Sequence, residues 1–374
     1  ILSTRGLIPI QEIKRGGFVY TQKGIGEVIE LYEMPEKKLL KLTLSTGISV
    51  TGTTSQKFKI INNDFTYSWK DAKDLKEGDF LVIKADYPNL DECVNLKLFG
   101  NKSMEFNENI AYFLGQFISD GWIEKDNRIC IGTCSRNICE RLKFILQKEF
   151  NYTANIETRD IPYQSSSRLI MESQIFYLRI NNRQLCNFLS STFNIQGRKA
   201  YNKEIPFQVF QSPKKVIYSF LSGLIDGDGM IHNKRKVITY SSISEKLIDN
   251  LLLITQQLGI IGKKYSLKMQ PPREFNNKVI KSNYPSFHIE FSGEFSRKLA
   301  LNLNLFEERK KERLKGIFLG KFKKSLFEIV PFAGEIIFSE LRHNHLGSGW
   351  YNDKEGNKFR LGIKYPTGSK IRYS

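Results

Sequence analysis

Two segments of similar sequence carry apolar residues at helical spacing, and each ends in Asp-Gly followed by an apolar residue. The first is AYFLGQFISDGWI, residues 111–123, and the second is SFLSGLIDGDGMI, residues 219–231. Apolar positions three and four apart predict a helix in each segment. Their aspartates, Asp120 and Asp228, are 108 positions apart, so the pattern predicts an internal duplication.

The sequence after each segment repeats as well. In both copies a turn and an apolar strand follow, then a helix that Ser135 or Ser244 can cap, then two strand regions and a closing helix. The second motif helix has its own start signal, with Ser212 as N-cap and Pro213 at the first helical position. The pattern predicts an α+β protein built from two such units.

Two glycines in each motif indicate how the predicted helices are used. Gly115 and Gly223 lie within the helices, where glycine costs about 1 kcal/mol relative to alanine. That cost is tolerable if the two helices pack with their backbones in close contact. Gly121 and Gly229 can end the helices, which leaves the two aspartates at the helix ends, close to each other.

The two aspartates are candidates for a metal site. A single Asp-Gly at a helix end is more simply interpreted as a solvated turn. However, a carboxylate at a helix C-terminus opposes the helix dipole, and two nearby carboxylates repel each other unless a cation separates them. Because hard cations such as Mg²⁺ prefer oxygen ligands, the residues predict metal-assisted phosphodiester hydrolysis.

The charge of the chain favours a polyanionic partner. Its 374 residues include 57 Lys+Arg and 39 Asp+Glu, a formal net charge of +18. Nucleic acid is the polyanion that such a surplus indicates. With 40% hydrophobic and 12% aromatic residues, the chain has enough apolar material to form two to four folded modules.

The remaining composition excludes two classes of protein. No apolar run approaches the ~18–20 residues of a membrane-spanning helix, and the first residues lack the apolar region of a secretory signal. The five cysteines are too few and odd in number for a disulfide scaffold. Cys130, Cys134 and Cys139 have no histidine at zinc-ligand spacing. We expect an intracellular protein, in the cytoplasm, nucleoid or nucleus, with reduced and mostly buried thiols.

The two motifs resemble those of the LAGLIDADG homing endonucleases. LSGLIDGDG differs from that signature only where Ser222 and Gly227 replace alanines, and FLGQFISDG is a more degenerate copy. The resemblance implies a monomer whose two pseudo-symmetric αββαββα repeats form a saddle of antiparallel sheets on the major groove of double-stranded DNA. It also implies that the two aspartates, with the adjoining Gly121 and Gly229, hold Mg²⁺ or Mn²⁺, and that both strands are cut across the minor groove.

The family also implies a supporting lysine in each half. Lys203, in YNKEIPFQV, resembles the lysine that precedes Ile-Pro in intein endonucleases. It would polarise a water or stabilise charge on the phosphate. The matching stretch of the second half, FEERKKERLKG, lacks Ile-Pro. Lys311 is the candidate there, Lys310 is the alternative, and a solvated basic helix face is an equally simple interpretation.

Contacts with DNA are expected from basic strand residues. A two-stranded ribbon or a sheet fits the major groove, and the segment KKYSLKMQPPREFNNKVIKSN is rich in suitable side chains. The pattern leaves open which of them reach bases and which reach phosphates. The candidates are Arg179, Lys263, Lys264, Lys268, Arg273, Lys278 and Lys281.

Residues 1–85 lie outside the duplication and predict short strands with glycine turns, an all-β module. WKDAKDLKEGDFLVI, residues 69–83, resembles the amino-terminal part of a Hint (intein-splicing) domain, inside which inteins commonly carry a LAGLIDADG endonuclease. Gln56 stands where the Thr-x-x-His element has histidine, Ile1 stands in place of Cys or Ser, and GSKIRYS has no terminal His-Asn. We therefore expect that the chain as written does not splice itself.

The predicted organisation has four parts: a Hint-like module at 1–100, repeats at 101–207 and 208–325, and a helical linker with a basic segment at 326–374. The predicted function is that of a site-specific homing endonuclease, derived from an intein, that cuts both strands of a long duplex with a divalent metal. Two alternatives stay open: a catalytically inactive DNA- or RNA-binding protein such as a maturase, and a protein-splicing intein.

Overall fold

The computed structural model describes most of the chain in two compact units. The first unit comprises Ile1–Met34, Thr46–Ile48 and Ala85–Gly320, and the second comprises Pro35–Ser45, Ser49–Lys84 and Lys321–Ser374. Lys281 and most of the predicted linker lie outside the described residues. The residues left out are 34, 36–37, 125–127, 165–169, 196–198, 270–271, 276–277, 281–282, 320–349, 353–357, 362–370 and 374.

The amino-terminal strands are divided between the two units. In the first unit, β1 (Leu2–Ser3), β2 (Gly6–Leu7), β3 (Phe18–Thr21) and β4 (Gly24–Glu27) form an antiparallel sheet in the order β2-β1-β3-β4. In the second unit, β5 (Leu39–Thr43) pairs with β6 (Ser49–Thr53), and β7 (Lys57–Ile61) lies between β8 (Tyr67–Asp71) and β9 (Phe80–Leu81). Residues 1–85 thus contain the predicted short strands, in three separate sheets.

The first repeat has the predicted αββαββα order. Its sheet is antiparallel, in the order β10-β11-β13-β12. Alternate residues of these strands, such as Ile131, Leu178 and Ile180, are fully buried, because one face of the sheet packs on the helices. The elements are α1 (Glu108–Asp120), β10 (Gly121–Ile123), β11 (Ile129–Thr133), α2 (Arg136–Phe150), β12 (Asn155–Gln164), β13 (Ile170–Ile180) and α3 (Arg183–Phe193).

The second repeat has the same order, with an added short helix at its start, one inserted hairpin and an added helix at its end. Its main sheet runs β14-β15-β19-β16, the topology of the first, and the short hairpin β17–β18 is inserted before β19. The elements are α4 (Phe207–Phe210), α5 (Lys214–Asp228), β14 (Gly229–His232), β15 (Val237–Ser242), α6 (Glu245–Gln257), β16 (Lys263–Leu267), β17 (Arg273–Phe275), β18 (Lys278–Ile280), β19 (Ser286–Phe291), α7 (Gly293–Asn302) and α8 (Glu308–Phe318).

The last described strands belong to the second unit. They are β20 (Trp350–Asn352), β21 (Lys358–Leu361) and β22 (Ile371–Tyr373), which form an antiparallel sheet in that order. Among the helices that the structure describes, none is both long and apolar enough to cross a membrane.

Two of the three helix starts lie where the sequence predicts them, and one of the two serines there makes a capping hydrogen bond. Ser244 caps α6, since its hydroxyl accepts from the Leu247 amide at 3.3 Å. Ser135 precedes α2 but makes no capping hydrogen bond. The Ser212 prediction was wrong: Pro213 is the residue before α5, and the Ser212 hydroxyl donates instead to the Gln208 carbonyl at 2.7 Å. The preceding short helix α4 supplies that acceptor.

Gly121 and Gly229 end α1 and α5, but not by the conformation that glycine usually supplies. Their φ,ψ values are −92°,153° and −72°,148°, which is extended backbone open to any residue. Glycine is required for space, because a Cβ at Gly121 would lie 2.5 Å from the Phe117 carbonyl oxygen and one at Gly229 would lie 2.7 Å from that of Ile225. The two glycines therefore end the helices as the sequence predicts.

Candidate active site

The helices α1 and α5 pack with their backbones in contact. A Cβ added to Gly115 would lie 2.2 Å from the Phe220 carbonyl oxygen, and one added to Gly223 would lie 2.2 Å from that of Tyr112. The two glycines are therefore required for this approach. Because the contact is pseudo-symmetric, the C-terminal ends of the two helices, with Asp120 and Asp228, arrive at the same place.

Polar side chains fix the two helices along this contact. The Gln116 amide donates to the Gly223 carbonyl at 2.8 Å, and the Ser119 hydroxyl donates to the Leu224 carbonyl at 2.9 Å. A Cβ at Gly227 would lie 2.3 Å from the Ser119 Cβ and 2.8 Å from an Asp120 carboxylate oxygen. The carboxylate of α1 thus reaches the last turn of α5, where this chain has glycine in place of the signature alanine.

The two carboxylates share an environment that opposes their ionisation. Burial is the main cause that raises the pKa of Asp120 to about 7, and the neighbouring Asp228 raises it further. Burial also raises the pKa of Asp228, while Lys203, Lys310 and a hydrogen bond with Tyr240 lower it. Asp120 is half-buried and Asp228 is exposed. Asp228 is therefore the carboxylate that we expect to ionise first.

A lysine lies at the end of each helix. Lys203 Nζ donates to the Ser119 carbonyl at 2.8 Å, and Lys310 Nζ donates to the Gly227 carbonyl at 2.5 Å. The two acceptors, Ser119 and Gly227, hold equivalent positions in the duplication. Burial lowers the pKa of both lysines, and the two aspartates partly offset this effect.

The structure brings Lys310, and not Lys311, to the second helix end. The spacing of 108 between the motif aspartates, counted from Lys203, predicts Lys311. The lysine that is equivalent in the structure is Lys310, 107 positions after Lys203. Lys311 instead lines a cavity between α7 and α8, together with Leu301 and Leu314. The assignment of Lys311 was therefore wrong, because the two repeats differ in length by one residue before this helix.

The arrangement fits a divalent cation. Two carboxylates that repel each other, at two helix ends with partial negative charge, supply hard oxygen ligands. No group of three or more His, Cys, Asp or Glu side chains with metal-binding geometry occurs among the described residues. A cation held by Asp120 and Asp228 would complete its shell with water, backbone oxygen or phosphate, as Mg²⁺ commonly does. Gly121 and Gly229 directly follow these aspartates.

Two of the basic residues predicted to contact DNA are engaged within the protein. Lys264 pairs with Ile289 across the sheet, on the face towards the helices, and binds Glu245 and Asp249 of α6. Arg179 forms ion pairs with Glu157 and Glu124. The prediction for Lys264 was wrong, because adjacent strand residues point to opposite faces and this lysine points inward.

The remaining candidates are partly described. Lys263 and Lys268 are exposed. Lys263 pairs with Glu290 on the outer face of the second sheet, the face away from the helices. Arg273 and Lys278 belong to the hairpin β17–β18, and only its backbone is described.

The outer face of the second sheet also carries an aromatic pair that the sequence did not indicate. The rings of Tyr265 and His288 stack with centroids 4.9 Å apart. The two His288 ring nitrogens lie 2.6 Å from the Ser241 hydroxyl and 2.9 Å from the Ser286 hydroxyl. The alternation in KKYSL and SFHIEF was the available signal, since it puts Tyr265 and His288 on one face.

Residues 107–192 and 215–283 match a family model described as a LAGLIDADG-like domain. The chain therefore contains two LAGLIDADG-like segments, which carry the motif aspartates, the first sheet and all of the second sheet except β19. The match covers Asp120 and Asp228 but neither Lys203 nor Lys310.

Curated relatives resemble the chain over parts of their length. It is 24% identical over 290 residues to a replication factor C small subunit of Methanocaldococcus jannaschii, covering 77% of this chain and 14% of the relative. It is 23% identical over 371 residues to a probable translation initiation factor IF-2 of the same organism, covering 96% of this chain and 29% of the relative. The chain spans less than a third of the length of these curated relatives.

Solved structures resemble the chain more remotely. Mesophilic variants of the homing endonuclease I-DmoI are 14% identical, with a TM-score of 0.33, over 53% of this chain and 96% of that one.

Proposed function

We propose that the chain is a metal-dependent endonuclease that cuts double-stranded DNA at a specific site. The observation that carries the proposal is the pair of helix ends, each with one aspartate and one half-buried lysine, joined across a glycine contact. A solvated turn does not need two half-buried ammonium groups beside two carboxylates whose pKa values are raised. A centre for phosphodiester hydrolysis needs these groups together.

Each residue has a distinct part in the proposed reaction. A divalent cation, when bound, supplies Lewis acidity and an activated water. Asp120 and Asp228 would hold it through their carboxylate oxygens, and its charge would offset their mutual repulsion. Lys203 and Lys310 direct their ammonium groups to the helix ends, where they would stabilise the charge that develops on the phosphate. Because each repeat contributes one aspartate and one lysine, one copy of the chain would supply both halves of the site.

The proposed partner is duplex DNA on the outer faces of the two sheets. The net charge of +18 supports a polyanion. The exposed Lys263 and the Tyr265–His288 pair offer a cation and flat aromatic surface on the outer face of the second sheet. Antiparallel strands of this width fit the major groove.

An origin as an intein explains why the relatives have unrelated names. The chain matches sections of a replication factor subunit, a translation factor and an ATP-dependent DNA helicase, whose own functions share no common chemistry with a nuclease. A mobile segment inserted into different host proteins would produce such matches. We infer that the strands at residues 1–85 and 350–373 then derive from a Hint-like module, with Gln56 in the position of its histidine.

The proposal is tested by cleavage of a plasmid library that carries random inserts. The wild-type chain, with Mg²⁺, is expected to produce one recurrent long site with staggered ends, and none when EDTA replaces the metal. Asp228→Asn should reduce cutting by at least about 100-fold, while Asp74→Asn, an exposed change, should cut normally.

Three results would count against the proposal. Equal cutting by Asp228→Asn would remove the role of this aspartate. Absence of cutting at a duplex that the chain selects from the same library by binding would indicate a binding protein. Selection of structured RNA over every duplex would favour a maturase-like role.

A further inference from the structure

The connection between α7 and α8 is held by a buried carboxylate that the proposed metal site does not use. Asp226, 3% exposed, accepts from the backbone amides of Phe306 at 2.8 Å and Glu307 at 3.1 Å. It also accepts from the Tyr112 hydroxyl at 2.7 Å. Glu307 is the residue that caps α8, so this helix begins directly on the Asp226 side chain.

The first turn of α8 carries Lys310 to the helix end. The Glu307 side chain accepts from the Lys310 amide at 2.6 Å. The Lys310 ammonium group then reaches the Ile225 carbonyl at 2.9 Å and the Asp226 carbonyl at 2.6 Å. Because Lys310 is only three positions after Glu307, the place where α8 starts determines where this ammonium group lies.

Residues of the first repeat also fix the start of α8. The Tyr112 ring packs edge-on against Phe306, with centroids 5.1 Å apart. The Arg141 guanidinium lies over the Phe306 ring at 5.1 Å and donates to Asn109 at 2.6 Å. The position of α8, an element of the second repeat, thus depends on Tyr112 of α1 and on Arg141 of α2.

The first lysine is held in a different way. The positions equivalent to Asp226 and Tyr112 are occupied by Ile118 and Phe220, which cannot form this hydrogen bond. Lys203 is instead supported by Ser244 at the start of α6, whose hydroxyl donates to the Lys203 carbonyl at 2.6 Å. Each lysine therefore depends on the other repeat, but through different groups, so the two supports can be removed separately.

We propose that Asp226 and Tyr112 are positioning residues for Lys310, and that they place it without acting on Lys203. Loss of the hydrogen bonds of Asp226 frees the start of α8 and releases the Lys310 ammonium group from the end of α5. The consequence for cleavage rests on the proposed nuclease function: the strand served by Lys310 would be cut more slowly, and nicked DNA would accumulate. The positioning of Lys310 by Asp226 and Tyr112 does not itself depend on any activity.

The test measures how fast each lysine of the whole, metal-free protein is acetylated by acetic anhydride, by peptide mass spectrometry. Tyr112→Phe keeps the ring and removes only the hydroxyl, and Asp226→Asn removes the charge. In both, labelling of Lys310 should rise roughly tenfold, while that of Lys203 stays at the wild-type rate. Ser244→Ala should raise the labelling of Lys203 alone. Tyr218→Phe, which removes a hydroxyl elsewhere on α5, should change neither.

Unchanged labelling of Lys310 in Tyr112→Phe and Asp226→Asn, with both variants folded by circular dichroism, would overturn the proposal. So would an equal rise at Lys203 and Lys310, since that indicates general loosening. Because labelling needs no DNA, these outcomes stand apart from the nuclease test. If the wild type cuts DNA, the accumulation of one specific nick in Tyr112→Phe adds support, and random nicking of either strand contradicts the strand-specific consequence.

Discussion

At the scale of single residues, the lysines resolve a conflict that the aspartates create. The last carbonyl groups of a helix carry partial negative charge, and a carboxylate placed beside them is disfavoured. Lys203 and Lys310 each donate to the carbonyl that immediately precedes the aspartate in sequence, on Ser119 and Gly227. The ammonium groups thus stabilise the helix ends of the metal-free protein.

The raised pKa of Asp120 predicts how the stability of the metal-free protein depends on pH. Its pKa is about 7 when folded and 3.8 without burial, so between these values the folded protein keeps a proton that the unfolded chain releases. The contribution of Asp120 to the free energy of unfolding should therefore be fully present below about pH 4 and be lost as the pH rises to about 7. Urea unfolding in EDTA at several pH values measures this.

Asp120→Asn should remove much of that decline, because the amide does not titrate. A smaller decline would remain, because the pKa of the Asp228 carboxylate is also raised. Asp74→Asn, at an exposed position, should keep the full decline. An equally steep decline in Asp120→Asn would show that Asp120 does not carry a raised pKa.

At the scale of elements, the helix starts show what a sequence signal can and cannot predict. Serine precedes both α2 and α6, and the apolar period placed both helices correctly. Only Ser244 turns its hydroxyl into the helix, and it bridges to the Lys203 carbonyl as well. The rotamer of a capping serine depends on neighbours far along the chain, which the local sequence does not contain.

We expect the two serines to differ in their contribution to stability. Ser244→Ala loses a capping hydrogen bond and the bond to Lys203, and should lower the free energy of unfolding by about 1–2 kcal/mol. Ser135→Ala loses no capping bond and should cost clearly less. Chemical denaturation of the two variants side by side measures the difference. Equal losses of unfolding free energy in the two variants would mean that the hydrogen bonds of the Ser244 hydroxyl do not contribute to stability.

Strand residues show a second limit of the sequence. Lys263 and Lys264 are adjacent, so one must point to the helices and the other away from them. Because the two side chains are identical, the sequence does not indicate which of them points to the helices. The carboxylates of Glu245 and Asp249 on α6 decide it by pairing with Lys264, a contact that becomes evident only when the helix and the strand are packed together.

At the scale of the whole molecule, the duplication was the strongest signal in the sequence. The spacing of 108 between the aspartates predicted two equivalent units, and the two sheets have the same strand order. The same spacing predicted Lys311 in place of Lys310, because the connecting segments of the two repeats differ in length by one residue. Asp226 was overlooked for a related reason: its partners, Tyr112 and the amides after α7, are distant in sequence and have no counterpart in the first repeat.

We propose that Asp120 and Asp228 together hold one divalent cation where the two repeats meet. The most direct measurement is thermal unfolding at pH 8 with and without Mg²⁺. A ligand at 100 times its dissociation constant stabilises a folded protein by about 2.7 kcal/mol. The wild type and Asp74→Asn should therefore melt at a higher temperature with Mg²⁺, while Asp120→Asn and Asp228→Asn should not. Equal stabilisation of all four proteins by Mg²⁺ would mean that these two aspartates do not hold the cation.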